Sequence, residues 1–188
     1  MTHRSIALLV GALLLGVGGC PLPQPLPDVA RTPDGGSVST PIILPDTAAP
    51  PGAISYLARD CPNGAQVTLG ATVEDLDTSE AVEARWFANY ASVRGSTGLL
   101  NDVNVPASAD PSNPLRIVPA FVFVAYLSGG AASRSVDVVD LVVSNSFLPL
   151  GDPTPPVQRA ATAGFVTQAY RWVFQYVEQT DPLAPPCL

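Results

Sequence analysis

The sequence predicts an all-β protein with antiparallel strands. Beyond residue 52, turn-forming residues recur about every ten to twenty positions, and the segments between them are rich in Val, Ile, Phe, Tyr and Trp. In several of these segments apolar and polar residues alternate, as they do in a strand that buries one face. Only 13% of the residues are charged and 47% are hydrophobic, which predicts a well-filled core.

The chain begins with the order of residues that is typical of a secretory signal. A short, weakly basic start is followed by an unbroken apolar or small-residue run over 6–17, and Val17-Gly18-Gly19-Cys20 closes it. This ending resembles the signal of bacterial lipoproteins. The resemblance implies that residues 1–19 are a signal peptide and that Cys20 carries the lipid. An ordinary secreted protein, or a start helix kept as a membrane anchor, is the alternative.

Residues 20–52 have the composition of a linker. Proline alternates with other residues from Pro21 to Pro27, and a Gly-rich turn sequence follows, so this stretch can neither form a helix nor bury enough apolar surface to fold alone. Within it, residues 40–44 suit a short edge strand that could join the domain. We predict a lipidated, Pro-rich and disordered linker over 20–52, and one folded domain over 53–188.

Six strands are predicted in the domain. They cover residues 53–58, 65–73, 81–91, 115–127, 135–143 and 167–177. In the third of these, alternate positions carry the apolar side chains Val82, Ala84, Trp86, Ala88 and Tyr90. The intervening positions are polar apart from Phe87, so we expect a half-buried strand with an aromatic core face.

Two of the predicted strands are more apolar than the others. Residues 121–126 are apolar on both faces, which predicts a central strand that is covered on both sides. The strand 135–143 is nearly as apolar, but Asp137 and Asp140 interrupt it. Their offset of three places the two carboxylates on opposite faces of a regular strand, so at least one of them would point inward or lie at a bulge. A buried carboxylate needs a partner. The candidate partners are Arg116 and Arg134.

The last predicted element fits two structures. Every second residue from Tyr170 to Tyr176 is aromatic, with Arg171 and Gln175 on the opposite face, and this is the periodicity of a strand. A helix over 157–177 would also present an apolar stripe, and it would make the fold α+β. The enrichment in aromatic and β-branched residues favours the strand.

Two cysteines remain once Cys20 is taken as the lipid-bearing residue that the lipoprotein resemblance implies. Disulfides persist in export compartments, so we expect Cys61 and Cys187 to be bonded to each other. An intermolecular bridge and a pair of free thiols are the alternatives.

Three strand sequences together resemble those of bacterial immunoglobulin-like domains. They are Ala84-Arg85-Trp86-Phe87, the stretch Val142-Val143-Ser144-Asn145-Ser146-Phe147, and Tyr170-Arg171-Trp172-Val173. The resemblance covers about residues 53–187 and implies an immunoglobulin-like β-sandwich, in which the central strand often carries a core Trp. In such sandwiches the first strand pairs parallel to the last, which would bring Cys61 and Cys187 to one pole.

The composition excludes several kinds of chemistry. The formal charge is −7 and the chain has no Lys, so it should repel the phosphate backbone of nucleic acids. The single His is His3, inside the predicted signal, and the remaining chain therefore offers neither a His-containing catalytic triad nor a zinc site of the usual kind. Only carboxylates, hydroxyl groups and Arg are left for chemistry.

One acidic stretch is a weak candidate for a calcium site. It contains Glu74, Asp75, Asp77 and Glu80, and oxygen-rich loops of this kind can bind calcium. A solvated turn between two strands is the interpretation that we prefer, because the spacing differs from that of an EF-hand loop.

Two pairs of carboxylates could serve a glycoside hydrolase, which needs two of them at its active site. The pairs are Asp75 with Asp77 and Asp137 with Asp140.

The sequence indicates where the protein acts better than what it does. We expect a lipid-anchored protein of the bacterial cell envelope, by preference in the outer membrane, with a non-catalytic binding, adhesion or assembly domain. Its expected partners are the membrane, reached through the lipid, and an envelope or extracellular protein or glycan. A carboxylate-dependent carbohydrate hydrolase and a passive structural lipoprotein are the alternatives. The candidate recognition surfaces are two long loops, 92–113 and 148–164.

Overall fold

The structure is a computed structural model that describes residues 39–59, 61–62, 64–89, 98–125, 136–150 and 158–187. All of these residues belong to one compact unit, Val38–Leu188. The predicted signal peptide, the predicted lipidation site Cys20 and the candidate Arg134 lie outside the described residues. In the described part of the chain, no helix has the length and apolar character needed to cross a membrane.

The described residues form eight strands in two sheets. The strands are β1 (Ile42–Ala49), β2 (Ile54–Ala58), β3 (Ala65–Glu74), β4 (Val82–Ala88), β5 (Leu99–Val105), β6 (Leu115–Ala125), β7 (Val136–Ser144) and β8 (Gln168–Val177). One sheet has three strands in the order β1-β3-β6, and the other has five in the order β2-β8-β7-β4-β5. β2 pairs parallel with β8, whereas all other pairings between these strands are antiparallel.

This strand order is that of an immunoglobulin-like β-sandwich. β7 lies between β8 and β4, as strand F lies between strands G and C in immunoglobulin domains, and β3 and β6 pair in the opposite sheet as strands B and E do. The chain passes from one sheet to the other between β1 and β2. At this crossing Trp172 Nε1 donates a hydrogen bond of 3.1 Å to the carbonyl oxygen of Pro50. The predicted fold class is confirmed, as is the parallel pairing of β2 with the last strand.

The core lies between the two sheets and is organised around Trp86. The ring of Trp86 stacks on Trp172 in its own sheet, with centroids 5.6 Å apart, and on Phe121 in the opposite sheet at 5.5 Å. Phe123 and Phe174 form a second stack between the sheets at 5.6 Å. Trp86, Trp172 and Phe174 are fully buried. The aromatic core faces predicted from alternation in β4 and β8 are therefore present.

The chain itself covers the outer side of β4 and β7, two neighbouring strands of the five-stranded sheet. Residues 146–150 and 158–166, here named the covering segment, run from the end of β7 back toward β8, and Phe147 and Ala161 form an isolated bridge between its two parts. Phe147 packs on Phe87 and Val142 in a small second apolar cluster. The predicted recognition loop 148–164 is thus, in its described residues, packed onto a sheet.

Arg85 of β4 is hydrogen-bonded to the covering segment. Its Nη1 donates to the carbonyl oxygens of Leu148 at 3.2 Å and Gln158 at 2.9 Å. Its guanidinium also lies over the ring of Phe147, at 4.4 Å from the centroid. Because of this cover, β4 is buried on both faces, and the prediction of a half-buried strand is wrong for its outer side.

Two predictions about the elements need correction, and two are confirmed. The edge strand expected at residues 40–44 is present as β1. Because Ile43 and Ala48 are buried in the core, residues 42–49 belong to the fold and not to the linker predicted over 20–52. β5 lies within the predicted loop 92–113, where three Asn and Asp residues gave the strand the composition of a loop. The strand predicted over 167–177 is confirmed as β8, Gln168–Val177, and the helical alternative for 157–177 is therefore wrong.

β6 does not have the central position that its composition predicts. It lies at an edge of the three-stranded sheet and pairs with β3. Ile117 and Val122 on its outer face are 79% and 50% exposed. β7 is central as predicted, between β8 and β4. β6 and β7 look alike in sequence because both carry apolar residues on both faces. An apolar second face is compatible with a strand that is covered and with one whose outer face is exposed.

The Sγ atoms of Cys61 and Cys187 are bonded, with Cα atoms 5.3 Å apart. β2 and β8 are parallel and end at paired residues, Ala58 and Val177, so the chain reaches the same pole of the sandwich after each strand. The bond closes a sequence separation of 126. It is the intramolecular bond that the sequence led us to expect.

Candidate binding face

An apolar strip runs along the outer face of the three-stranded sheet. Thr72 of β3 lies between Leu44 of β1 and Ile117 of β6. Thr72 and Ile117 are on the outer side because their neighbours along each strand are buried, and Leu44 is paired with Thr72 on the same side. The apolar members of this strip, here named the β6 face, are Ile42, Leu44, Leu115, Ile117, Val122 and Val124.

The β6 face is most exposed along β6 itself. Ile117 is 79% exposed and Val122 is 50% exposed, with Leu115 at 46%. Single exposed aliphatic residues are normal on protein surfaces, but a contiguous row marks an interaction site more often. Each Å² of this surface that leaves water stabilises a contact by about 25 cal/mol.

The free edge of β6 is poorly suited to pairing with another strand. The register between β3 and β6 shifts at Gly70, which faces Pro119 and Ala120. Pro119 has no N–H to donate, and a bulge re-aims the backbone groups on either side of it. Proline and bulges are among the features by which edge strands avoid adding further strands. A partner should therefore contact the side chains of the β6 face and not the strand edge.

Arg116 lies on the other side of β6 and organises the acidic stretch. Its Nη2 donates to the carbonyl oxygen of Asp77 at 2.7 Å and lies 3.9 Å from Asp75 Oδ2, while its Nη1 donates to the carbonyl oxygen of Glu80. Asn145 Nδ2 donates to Asp75 Oδ2 at 2.8 Å. Both Arg116 and Asp75 are buried. The network closes the end of the sandwich where the chain passes from β3 to β4.

The four residues of the calcium hypothesis have separate roles. Asp75 is committed to the buried network, whereas Asp77 forms a turn in which its Oδ1 accepts hydrogen bonds from Ser79 N at 3.1 Å and Ser79 Oγ at 2.6 Å. Glu74 lies in β3, and Glu80 contributes its backbone to Arg116. Among the residues that the structure describes, no three or more His, Cys, Asp or Glu side chains are grouped as ligands for a metal ion.

The Ser79→Ala substitution should raise the pKa of Asp77. The hydrogen bonds from Ser79 favour the ionised carboxylate and hold the pKa of Asp77 below its usual value. A carboxyl group with a lowered folded pKa adds stability above its unfolded pKa, and this stability is lost as pH falls through the folded pKa. NMR titration of the variant should place the midpoint of Asp77 at higher pH than in the wild type.

Asp110 provides an internal control for that titration. Its pKa is lowered in the same way, by hydrogen bonds from Ser112, and should not change in the Ser79→Ala variant. An unchanged midpoint for Asp77 would contradict the assignment of its lowered pKa to Ser79.

Asp140 points to the outer face of the five-stranded sheet and holds two arginines. Arg171 Nε and Nη2 donate to its two carboxylate oxygens at 2.7 and 3.1 Å, and Arg159 Nη1 of the covering segment donates to Oδ2 at 2.8 Å. Hydrogen bonding to Asp140 raises the pKa of Arg171. The proposed partner Arg116 is wrong for this carboxylate, since Arg116 binds the acidic stretch at the end of the sandwich.

Asp137 points into the sandwich, on the opposite face of β7 from Asp140, as their offset predicts. It accepts hydrogen bonds from Tyr176 Oη at 2.5 Å and Asn89 Nδ2 at 2.7 Å. The sheet separates the two carboxylates, so they cannot flank one glycosidic bond. Asp75, the first member of the other pair considered, has no exposed side-chain surface on which a sugar could bind.

Sequence reasoning missed the residues that make up the β6 face. The candidate sites predicted from the sequence were polar side chains and long loops, and the apolar outer positions of β6 were predicted to be buried. A signal was present in Pro119, which is rarely found in a central strand because it cannot donate a hydrogen bond to a second neighbour.

The comparisons with known proteins are sparse. No protein-family model matches the chain, and a search of curated proteins found no match. Among solved structures, the chain is similar to the CARDB domain of a Pyrococcus furiosus protein, which was crystallised in complex with di-metal ions. The two share 10% identity at a TM-score of 0.38, over 77% of this chain and 99% of that one. The strand order and pairing described above therefore remain the grounds for assigning the fold.

Proposed function

We propose that the protein is a lipid-anchored component of the bacterial cell envelope, whose immunoglobulin-like domain is a non-catalytic binding module that uses the β6 face. The observation that carries the binding role is the contrast between the two outer faces. On the five-stranded sheet, the covering segment lies over β4 and β7, with Phe147 buried against them. No described element covers the β6 face, where Ile117 is 79% exposed. A contiguous apolar row that stays in contact with water is typical of an interaction surface.

The anchoring role is supported by the sequence at the start of the chain. Val17-Gly18-Gly19-Cys20 resembles the lipoprotein signal, and residues 21–38 would span roughly 55 Å if extended at about 3.1 Å per residue. The described chain begins at Ser39, whose Oγ accepts a hydrogen bond of 3.1 Å from Leu76 N. The domain would thus be tethered at the pole where β1 begins and held at a distance at which the β6 face can meet a partner.

The Cys20→Ser substitution should abolish lipid attachment. Cells grown with an alkyne-labelled fatty acid should incorporate the label into the wild-type protein, which should sediment with outer-membrane fractions, whereas the variant should lose the label and leave the membrane. The same chemical change at Cys61 is the matched control, and it should leave the label in place. Retention of the label by Cys20→Ser would overturn the anchoring proposal.

A photo-crosslinking amino acid at Ile117 tests the binding role in the full chain, in intact cells. We expect one adduct of discrete mass, at least about tenfold more abundant than with the same amino acid at Gln175, because burial of an apolar row should fix one partner in place. Gln175 is the matched control, since it is exposed on a strand of the opposite sheet. Equal adduct formation at the two positions would overturn the binding proposal.

A further inference from the structure

We infer that the partner of the β6 face is a second copy of this chain, packed face to face about a two-fold axis. The inference rests on the proposed binding role of the face and names the occupant.

Charge distinguishes the β6 face from the remaining surface. The chain carries a formal charge of −7, so two copies repel each other where their acidic side chains meet. The six residues of the β6 face have no ionisable side chain. Glu74 lies at one end of the strip, between Ile42 and Leu115, and Arg116 points to the buried side of the strand. At this face two acidic copies can approach each other with little repulsion, and Glu74 at one end is the single ionisable side chain among the strip residues named here.

The shape of β6 favours packing of two outer faces against each other over pairing of two strand edges. The bulge at Pro119 and Ala120 and the missing N–H of Pro119 disfavour a continuous sheet across two copies. Two sheets that pack through their side chains need no backbone pairing and lie about 10 Å apart. The outer row of β6 is therefore the contact surface.

The exposed side chains are arranged so that the face complements itself. Ile117 and Val122 lie on either side of the Pro119–Ala120 bulge, at equal sequence distance from its centre, and Leu115 and Val124 flank them in the same way. A two-fold axis through the bulge places Ile117 of one copy against Val122 of the other, and Val122 against Ile117. Interfaces of this isologous kind are the commonest in homodimers.

The size of the face indicates a weak association. Six side chains on two strands cover less than the roughly 800 Å² per partner of a standard stable interface. Copies confined to one membrane surface meet at a much higher effective concentration than copies in dilute solution. We therefore expect dimers in the envelope and monomers of the protein in dilute solution.

The test uses full chains with two different affinity tags, expressed in one cell, with the photo-crosslinking amino acid at Ile117 of the first copy. We expect an adduct of twice the chain mass that carries both tags. Val122→Glu in the second copy should lower its yield at least about tenfold, because Ile117 of the first copy faces this position. Val122→Thr, which keeps the shape of the side chain and its fit in a strand, should lower the yield by a smaller factor.

Val166→Glu in the second copy is the matched control, because Val166 is 57% exposed but lies on the covering segment. The yield should not change in this variant, and circular dichroism should show native spectra for all three. An Ile117 adduct of another mass, or one with lipid, overturns the second-copy inference and leaves the binding role standing. Absence of any Ile117 adduct above the Gln175 background overturns both.

Discussion

Replacing Trp86 with Ala should lower the free energy of unfolding by about 3 to 5 kcal/mol, the usual cost of removing a large aromatic side chain from a core. Trp86 is fully buried and stacks on Trp172 and on Phe121, which belong to opposite sheets. The cavity would therefore open between two sheets whose backbones are fixed by their own pairing, and it would close only in part. Urea unfolding, followed by tryptophan fluorescence and circular dichroism, measures the loss.

Ile54→Ala is the matched control for this measurement. Ile54 lies on β2 and is 61% exposed, so the substitution shortens a large apolar side chain without opening a cavity. It should change the free energy of unfolding by about 0.5 kcal/mol or less. Similar losses for the two variants would mean that the domain is not organised around Trp86.

Removing the bond between Cys61 and Cys187 should have an effect of similar size. A double Cys→Ser variant loses the restriction that the bond places on the unfolded chain, and for a sequence separation of 126 the chain-entropy model gives about 4 to 5 kcal/mol. The folded sandwich has its own core and strand pairing, so we expect the variant to fold and to unfold at a lower urea concentration than the oxidised wild type.

A reducing agent provides the control for the disulfide. It should lower the urea midpoint of the wild type to near that of the double variant, and it should not change the midpoint of the variant. An oxidised wild type and a double variant with the same midpoint would contradict the expected role of the bond.

The strand pattern of the fold was predictable because alternation depends on local geometry. The apolar residues around Trp86 in β4 and around Trp172 in β8 recur at every second position. Any strand that buries one face must carry this pattern. β5 escaped prediction because Asn101, Asp102 and Asn104 give it the composition of a loop. Its place in the sheet is fixed by pairing with β4, a contact that no local sequence pattern reports.

The sequence could not predict which outer sheet face is covered, because the residues that cover a sheet come from distant parts of the chain. The apolar second face of β7 is buried under the covering segment, whereas the equally apolar second face of β6 is exposed. The partners of Asp140 illustrate the same limit. The offset from Asp137 gave its face correctly, but Arg159 and Arg171 lie 19 and 31 residues further along the chain. The β6 face was missed for this reason.

The disulfide also determines how the domain responds to mechanical load. When the chain is pulled between Ser39 and Cys187, tension passes through β1 and β2 to Cys61 and from there directly across the bond, so the residues between the two cysteines bear none of it. At most the part before Cys61 can lengthen, by up to about 3.3 to 3.6 Å per residue. β1 resists first, because its hydrogen bonds to β3 run perpendicular to the strands and a pull along the strand axis acts on all of them together. A domain of this design can therefore lose its first strands under load while the segment between the two cysteines, which includes β6, carries no tension.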